Sequence, residues 1–209
     1  MVGMVGGELK TASARTRDVH AVLREAPASR HAAIDTLLAL RRPFGAAHYA
    51  CVLQGFATFL SAWEPRMAQV LPPQWQAWFA ASTRMHLVQQ DLASLGVPPA
   101  PLLVTLATPN TPAAALGSLY VLEGSALGGQ FIAAAARRHL GLSPDHGTAY
   151  FHGCGSATAA RWREFLARLD ADLASPAARA QAAQGANATF DVLADLFRGL
   201  LEDRELAAA

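Results

Sequence analysis

Leu116 to Ile132, LGSLYVLEGSALGGQFI, has the period of a core helix and yet contains four glycines, Gly117, Gly124, Gly128 and Gly129. Each glycine inside a helix costs roughly 1 kcal/mol relative to alanine, so this segment gives up a good deal of local preference. At about 100° per residue, Gly117, Gly124 and Gly128 fall in a sector about 40° wide, with Val121 and Ser125 beside them. Leu116, Leu119, Tyr120, Glu123, Leu127 and Gln130 lie on other faces, where the helix can pack normally. Such a stripe of bare backbone has two readings. One is close contact with a second helix through small residues, the logic of Gly124 and Gly128 four apart. The other is a flat, rigid ligand laid against backbone where any Cβ would collide with it.

Outward from this stretch, the chain reads as helices joined by Pro/Gly connectors. Thr111-Pro112 supplies an N-cap and first-position pair that opens the glycine-bearing helix, which can run to Leu140 before Gly141. Upstream, Glu8 to Glu25 is amphipathic through Leu9, Val19, Val22 and Leu23. A second helix, His31 to Leu40, has Ser29 as its candidate cap. Phe44 to Trp63 and Gln74 to Leu95 follow, separated by Leu71-Pro72-Pro73 and stopped by Gly96-Val97-Pro98-Pro99. Downstream, Gly141 to Gly155 reads as loop, and Ser156 to Leu173 and Pro176 to Leu200 as two closing helices. Seven helical segments without alternating β runs predict an all-α fold in one domain. Residues 1–7 read as a frayed tail and residues 8–209 as the domain.

Composition excludes several classes. The chain has 209 residues, a net charge of +1 and a single lysine, Lys10, among 17 basic residues. Its arginines are dispersed, which leaves no polybasic tract for nucleic acid. Cys51 and Cys154 have no metal spacing and are too few for a disulfide framework, and a reducing cytoplasm suits them. The N-terminus, MVGMVGGELK, has no basic region followed by an apolar core, so it is not read as a signal peptide. The 21 residues from Pro43 to Trp63 contain no Asp, Glu, Lys or Arg and match a membrane span in length. His48, Gln54 and two glycines argue instead for a buried helix, and no membrane partner is expected.

There is no Gly-x-Ser-x-Gly elbow, His-Glu-x-x-His or P-loop. Among the seven histidines, His20 stands out in its pairing with the glycine stripe. It is a candidate axial metal ligand on one helix, opposite bare backbone on another. A haem requires both, together with cations at its propionate edge, for which Arg15, Arg17, Arg161 and Arg163 are candidates.

ARTRDVHAVL at 14–23, GSLYVLEGSALGGQFI at 117–132 and YFHGCGSATAARWREFLARLD at 150–170 together resemble the haem oxygenase family, in particular its bacterial branch associated with bilin-binding photoreceptors, the bacteriophytochromes. The likeness spans nearly the whole chain, and Leu122 to Gly129 is its most specific part. The resemblance implies a helical bundle with haem between a proximal and a glycine-rich distal helix. It makes His20 the proximal iron ligand with Thr16 one turn away, and places Arg17 near the propionates with Arg163 as a second partner. Val121, Gly124, Gly128 and Gly129 then lie along the distal side.

The implied activity is oxygen-dependent cleavage of haem to biliverdin with release of CO and iron, haem being both cofactor and substrate and O2 the co-substrate. Gly124, Ser125 and Gly128 would be the catalytic positions, the glycines as a steric wall and Ser125 as a holder of water. No dinucleotide fingerprint or cluster-type cysteines are present, so no intrinsic flavin or NAD is expected. Electrons would come from an external ferredoxin or flavoprotein reductase, and a bilin-binding photoreceptor is the expected consumer of the product.

Two positions depart from the family pattern. Ser125 stands where many members carry an Asp that organises distal water, and Cys154 replaces an expected aromatic; His152, in the same loop, reads as a surface residue. The Ser125 departure keeps a second reading open, a non-catalytic haem-binding or haem-buffering protein of the same fold. A thiaminase-like hydrolase would need a nucleophilic Cys in an acidic pocket, which neither Cys51 nor Cys154 offers.

Overall fold

The structure, a computed structural model, describes residues 18–98 and 109–208, with side chains as far as residue 202. The expected tail at 1–7 and the candidates Arg15, Thr16 and Arg17 lie outside the described residues. In chain order the α-helices are α1 (Val19–Glu25), α2 (Ala28–Leu38), α3 (Ala46–Val70), α4 (Gln76–Ala80), α5 (Met85–Ser94), α6 (Pro112–Leu140), α7 (Ala149–His152), α8 (Thr158–Asp172) and α9 (Pro176–Ala208). Single 3-10 turns, Pro73–Trp75 and Gly155–Ala157, precede α4 and α8. Among the described residues there is no strand, only isolated bridges from Ser143 to His146 and Gly147. The fold is all-α, as the period and the connectors predict.

The glycine-bearing helix α6 is the axis of the bundle. Thr111 accepts the Ala114 N–H at 3.2 Å as its N-cap, with Pro112 in the first turn. Gly141 ends the helix in the left-handed region at φ 70, its N–H on the Arg137 carbonyl, a conformation glycine takes without a Cβ penalty. α9 runs alongside, and the two backbones interlock. A Cβ on Gly117 would overlap the Ala182 carbonyl, and one on Gly185 would overlap the Ala114 carbonyl. Behind this contact the Trp63 indole N–H donates to the Ser118 hydroxyl at 2.8 Å, and the Thr189 hydroxyl lies 2.6 Å from it.

The uncharged stretch 43–63 falls in α3, where Tyr49, Val52, Leu53, Phe59 and Leu60 are core residues. The buried face continues to Met67 and carries the helix across Pro65, past the expected end at Trp63. By length and composition α6 is long and apolar enough to cross a membrane. Its run from Ala115 to Glu123 is buried in the bundle, and a core helix passes the same test.

Long-range capping explains where the sequence reading fails. The expected single helix over 74–95 is broken at 81–84. There the Ser82 hydroxyl turns back to the Trp78 carbonyl at 3.0 Å, and Glu64, from α3, accepts the backbone N–H groups of Arg84 and Met85 to start α5. Similarly, the expected loop at 141–155 contains α7, whose first N–H groups, from Ala149 and Tyr150, both bond to the buried Asp91 carboxylate at 2.8 Å. Ser29 is inside α2 rather than its cap, and Pro27 holds that position.

Candidate functional site

α1, α6 and α8 meet around His20, Tyr120 and Trp162, and this meeting point is the candidate cleft. Asp18 caps α1 through the His20 N–H at 3.2 Å, while Val19 and Leu23 bury the helix against its neighbours and hold the half-buried His20 ring toward α6. The His20 Nδ1 lies 3.1 Å from the Tyr120 hydroxyl. Trp162, from α8, completes the cluster, edge-on to His20 at 6.0 Å between ring centroids and 5.2 Å from Tyr120. The indole stacks in turn on the buried Phe165 at an interplanar angle of 19°. Burial, the largest effect, pushes the Tyr120 phenol up to about 12, so it is neutral across the working range.

The glycines divide between the two readings. Gly117 serves helix packing against α9. Gly129 does so against α7, since a Cβ there would stand 2.7 Å from the Phe151 carbonyl oxygen. Gly124 and Gly128 meet no backbone of a neighbouring helix. At Gly124 the edge of the Trp162 ring is 3.4 Å from the Cβ position, and at Gly128 that position opens into free space. Val121 is buried one turn before Ser125.

Behind the wall is a polar cluster. Glu123 is buried, with its carboxylate 3.7 Å from Arg84, 3.5 Å from Arg161, and accepting the Trp78 indole N–H at 3.1 Å. The Arg161 guanidinium lies 4.1 Å over the Trp78 ring. Two guanidinium groups and an indole N–H offset the desolvation of the carboxylate. Arg84 extends this cluster to the distal side by donating to the Ser125 hydroxyl at 3.3 Å, while that hydroxyl donates to the Leu122 carbonyl at 2.7 Å. Beneath Arg84 and Glu123 a cavity of about 10 Å³ is lined by Glu64 and Ser82 among others, close to the space that one water requires.

A family model described as heme oxygenase matches residues 102–199. A heme oxygenase from Xanthomonas campestris pv. campestris (strain 8004) is 37% identical over 146 residues, covering 68% of this chain and 84% of the relative. The chain belongs to the haem oxygenase family. The structure of the NO- and CO-bound heme oxygenase from Neisseria meningitidis aligns with a TM-score of 0.72 at 25% identity, covering 88% of this chain and 92% of that one. The protein is accordingly a haem-binding oxidoreductase, and haem is its substrate and cofactor. That favours the enzyme over the haem-buffering alternative. A hydrolase built on cysteine finds no support either, since Cys51 is buried and Cys154 exposed.

The donor chemistry at the meeting of α1 and α6 suits a haem iron. Among the described residues His20 has a hydrogen-bond partner at Nδ1, which leaves Nε2 for a metal. On α6, Gly124 meets only the Trp162 ring and Gly128 nothing within 4 Å of its Cβ position. No group of three or more His, Cys, Asp or Glu among the described residues forms a competing metal site. Arg161, a candidate for the propionates, is committed to Glu123 and Trp78. Arg163 is exposed and held by no ion pair among the described residues. His152 is half-buried.

The sequence reading missed Trp162 as a cleft residue and the Arg84, Glu123 and Trp78 cluster altogether. The cluster's bonds join positions 38 to 45 apart in the chain, beyond any local pattern. Tyr120 carried a usable signal. It precedes Gly124 by four residues and so stands about 40° away from it on the helix, flanking the stripe rather than behind it.

Proposed function

We propose that this enzyme opens the haem ring with O2 to give biliverdin, CO and iron, using His20 as the iron ligand and Gly124 and Gly128 as the distal wall. The observation that supports the reading is His20 bonded through Nδ1 to Tyr120 of α6, the helix on which Gly124 and Gly128 meet no backbone of a neighbouring helix. Bound haem supplies both the iron at which oxygen is activated and the ring carbon that is oxidised. The chain's residues supply position, exclusion of bulk water and a held proton donor.

His20 fixes the haem from one side, and its neutral imidazole donates less electron density than a thiolate would. Gly124 and Gly128 let the ring plane approach α6 closely, so the α6 backbone limits where oxygen can lie. Val121 contributes the buried apolar floor beside them. Ser125 has committed its own proton to the Leu122 carbonyl and one lone pair to Arg84. Its remaining lone pair accepts from a water, and that water, rather than the serine, carries the proton toward the substrate. Family position supports Thr16 beside the ligand and Arg17 at the propionates. The exposed Arg163 is the partner that α8 offers, and Gly129 sets the spacing of α6 from α7.

The residues that hold haem provide no reducing group, so we assign electron delivery to an external ferredoxin or flavoprotein reductase. The branch resemblance supports cytoplasmic action and delivery of biliverdin to a bacteriophytochrome-type photoreceptor. Turnover of the haem-loaded protein with a reductant and oxygen, followed by chromatography of the pigment, tests the reaction. Biliverdin with stoichiometric CO is expected from the native chain. Gly124→Leu should weaken haem binding or change the isomer formed; the same affinity, rate and isomer in that variant would sink the wall.

A further inference from the structure

We propose that Tyr120 is the positioning residue of His20, its phenol oxygen accepting the Nδ1 hydrogen so that Nε2 is the nitrogen presented to haem iron. This rests on the reading of His20 as the ligand and extends it to a residue with no direct bond to haem.

A neutral imidazole carries one hydrogen, and a lone pair on Nε2 requires that hydrogen on Nδ1, where it needs an acceptor. The 3.1 Å separation between Nδ1 and the Tyr120 oxygen is hydrogen-bond distance. The other candidates around the ring do not serve. Arg24, one turn further along α1, is exposed and has no acceptor atom. The Asp18 carboxylate caps the His20 backbone N–H, and the Trp162 indole is a donor only. Among the described residues Tyr120 is the acceptor in place.

Its location adds a second function. Tyr120 is buried on α6, with its ring packed on Trp162 at 5.2 Å, and it lies one turn before Gly124. The helix that forms the wall on one side of the haem therefore also sets the rotation of the ligand on the other. Ligand and wall are registered through a single rigid element. A phenol oxygen is a weaker acceptor than a carboxylate, so the imidazole gains orientation with little anionic character. That matches a ligand of modest electron push.

Tyr120→Phe tests the inference, since it keeps the packed ring and removes only the oxygen. Haem affinity should fall by about 10- to 100-fold, the usual effect of removing a partner behind a metal ligand. The iron–histidine stretch of the ferrous protein, read by resonance Raman, should move to lower frequency, which a packing role alone would not produce. In the native apo-protein, 15N NMR should find His20 chiefly with its proton on Nδ1. An unchanged stretch and affinity in Tyr120→Phe would overturn the inference, and so would an apo-protein with the proton chiefly on Nε2, even if the variant failed to fold. His20→Ala separates the two levels. Haem binding unaffected by that change removes the ligand reading itself, whereas loss of binding there beside a silent Tyr120→Phe removes the role of Tyr120 alone.

Discussion

Ser125 shows how a residue's neighbours decide its chemistry. With the Leu122 carbonyl and Arg84 both bonded to its hydroxyl, it is an acceptor for water, although an isolated serine could equally donate. Arg84 in turn is held by Glu123, whose side chain is 3% exposed. Arg84→Met should therefore leave a buried carboxylate with Arg161 as its remaining cation, at a cost on the order of 3 kcal/mol. Chemical denaturation of the apo-protein measures it, and the double variant with Glu123→Gln should recover part of the loss. Asp91 gives a pH signature. Burial raises its carboxyl above the ordinary 3.8, outweighing the lowering effect of the Tyr150 and Ala149 N–H bonds. The folded state thus binds the proton more tightly than the unfolded one, and stability from this group is greatest below that ordinary value. It declines as pH rises through the folded value. Subtracting the pH profile of Asp91→Asn should expose that decline; a flat difference between pH 3 and 6 would contradict it.

At the scale of the element, α6 joins two jobs that the sequence displays as one stripe. Gly117 belongs to the crossing with α9, locked by Gly185 from the other side, while Gly124 and Gly128 meet no backbone and are the proposed haem wall. Alanine substitutions separate them. Gly117→Ala forces a Cβ onto the Ala182 backbone and should destabilise the protein by about 1–3 kcal/mol or more. Gly128→Ala meets nothing within 4 Å, so the apo-protein should gain up to about 1 kcal/mol from helix propensity while haem binds more weakly. Thermal unfolding of the two apo-variants, beside haem titrations, reads both effects. A Gly128→Ala protein that is more stable and binds haem as well as the native chain would show that glycine there serves neither purpose.

Across the whole molecule, what was legible in the sequence was whatever is encoded locally. The Thr111-Pro112 start and Gly141 stop of α6 depend on side chains within a turn of the helix ends, and both were readable. The break before α5 and the short α7 depend on Glu64 and Asp91, acidic caps supplied by distant helices, and no local pattern announces them. The site divides in the same way. His20, Gly124 and Gly128 are candidates that spacing and family likeness propose, whereas Trp162 against Gly124 and the Arg84–Ser125 bond exist only once α8 and the start of α5 pack on α6. The central claim is that His20 and the bare face of α6 together hold haem. Its most direct test is a hemin titration followed by visible spectroscopy, comparing the native protein with His20→Ala. A saturable one-to-one Soret band is expected in the native protein and should be lost or strongly altered in the variant; an identical band and affinity in both would contradict haem binding through His20.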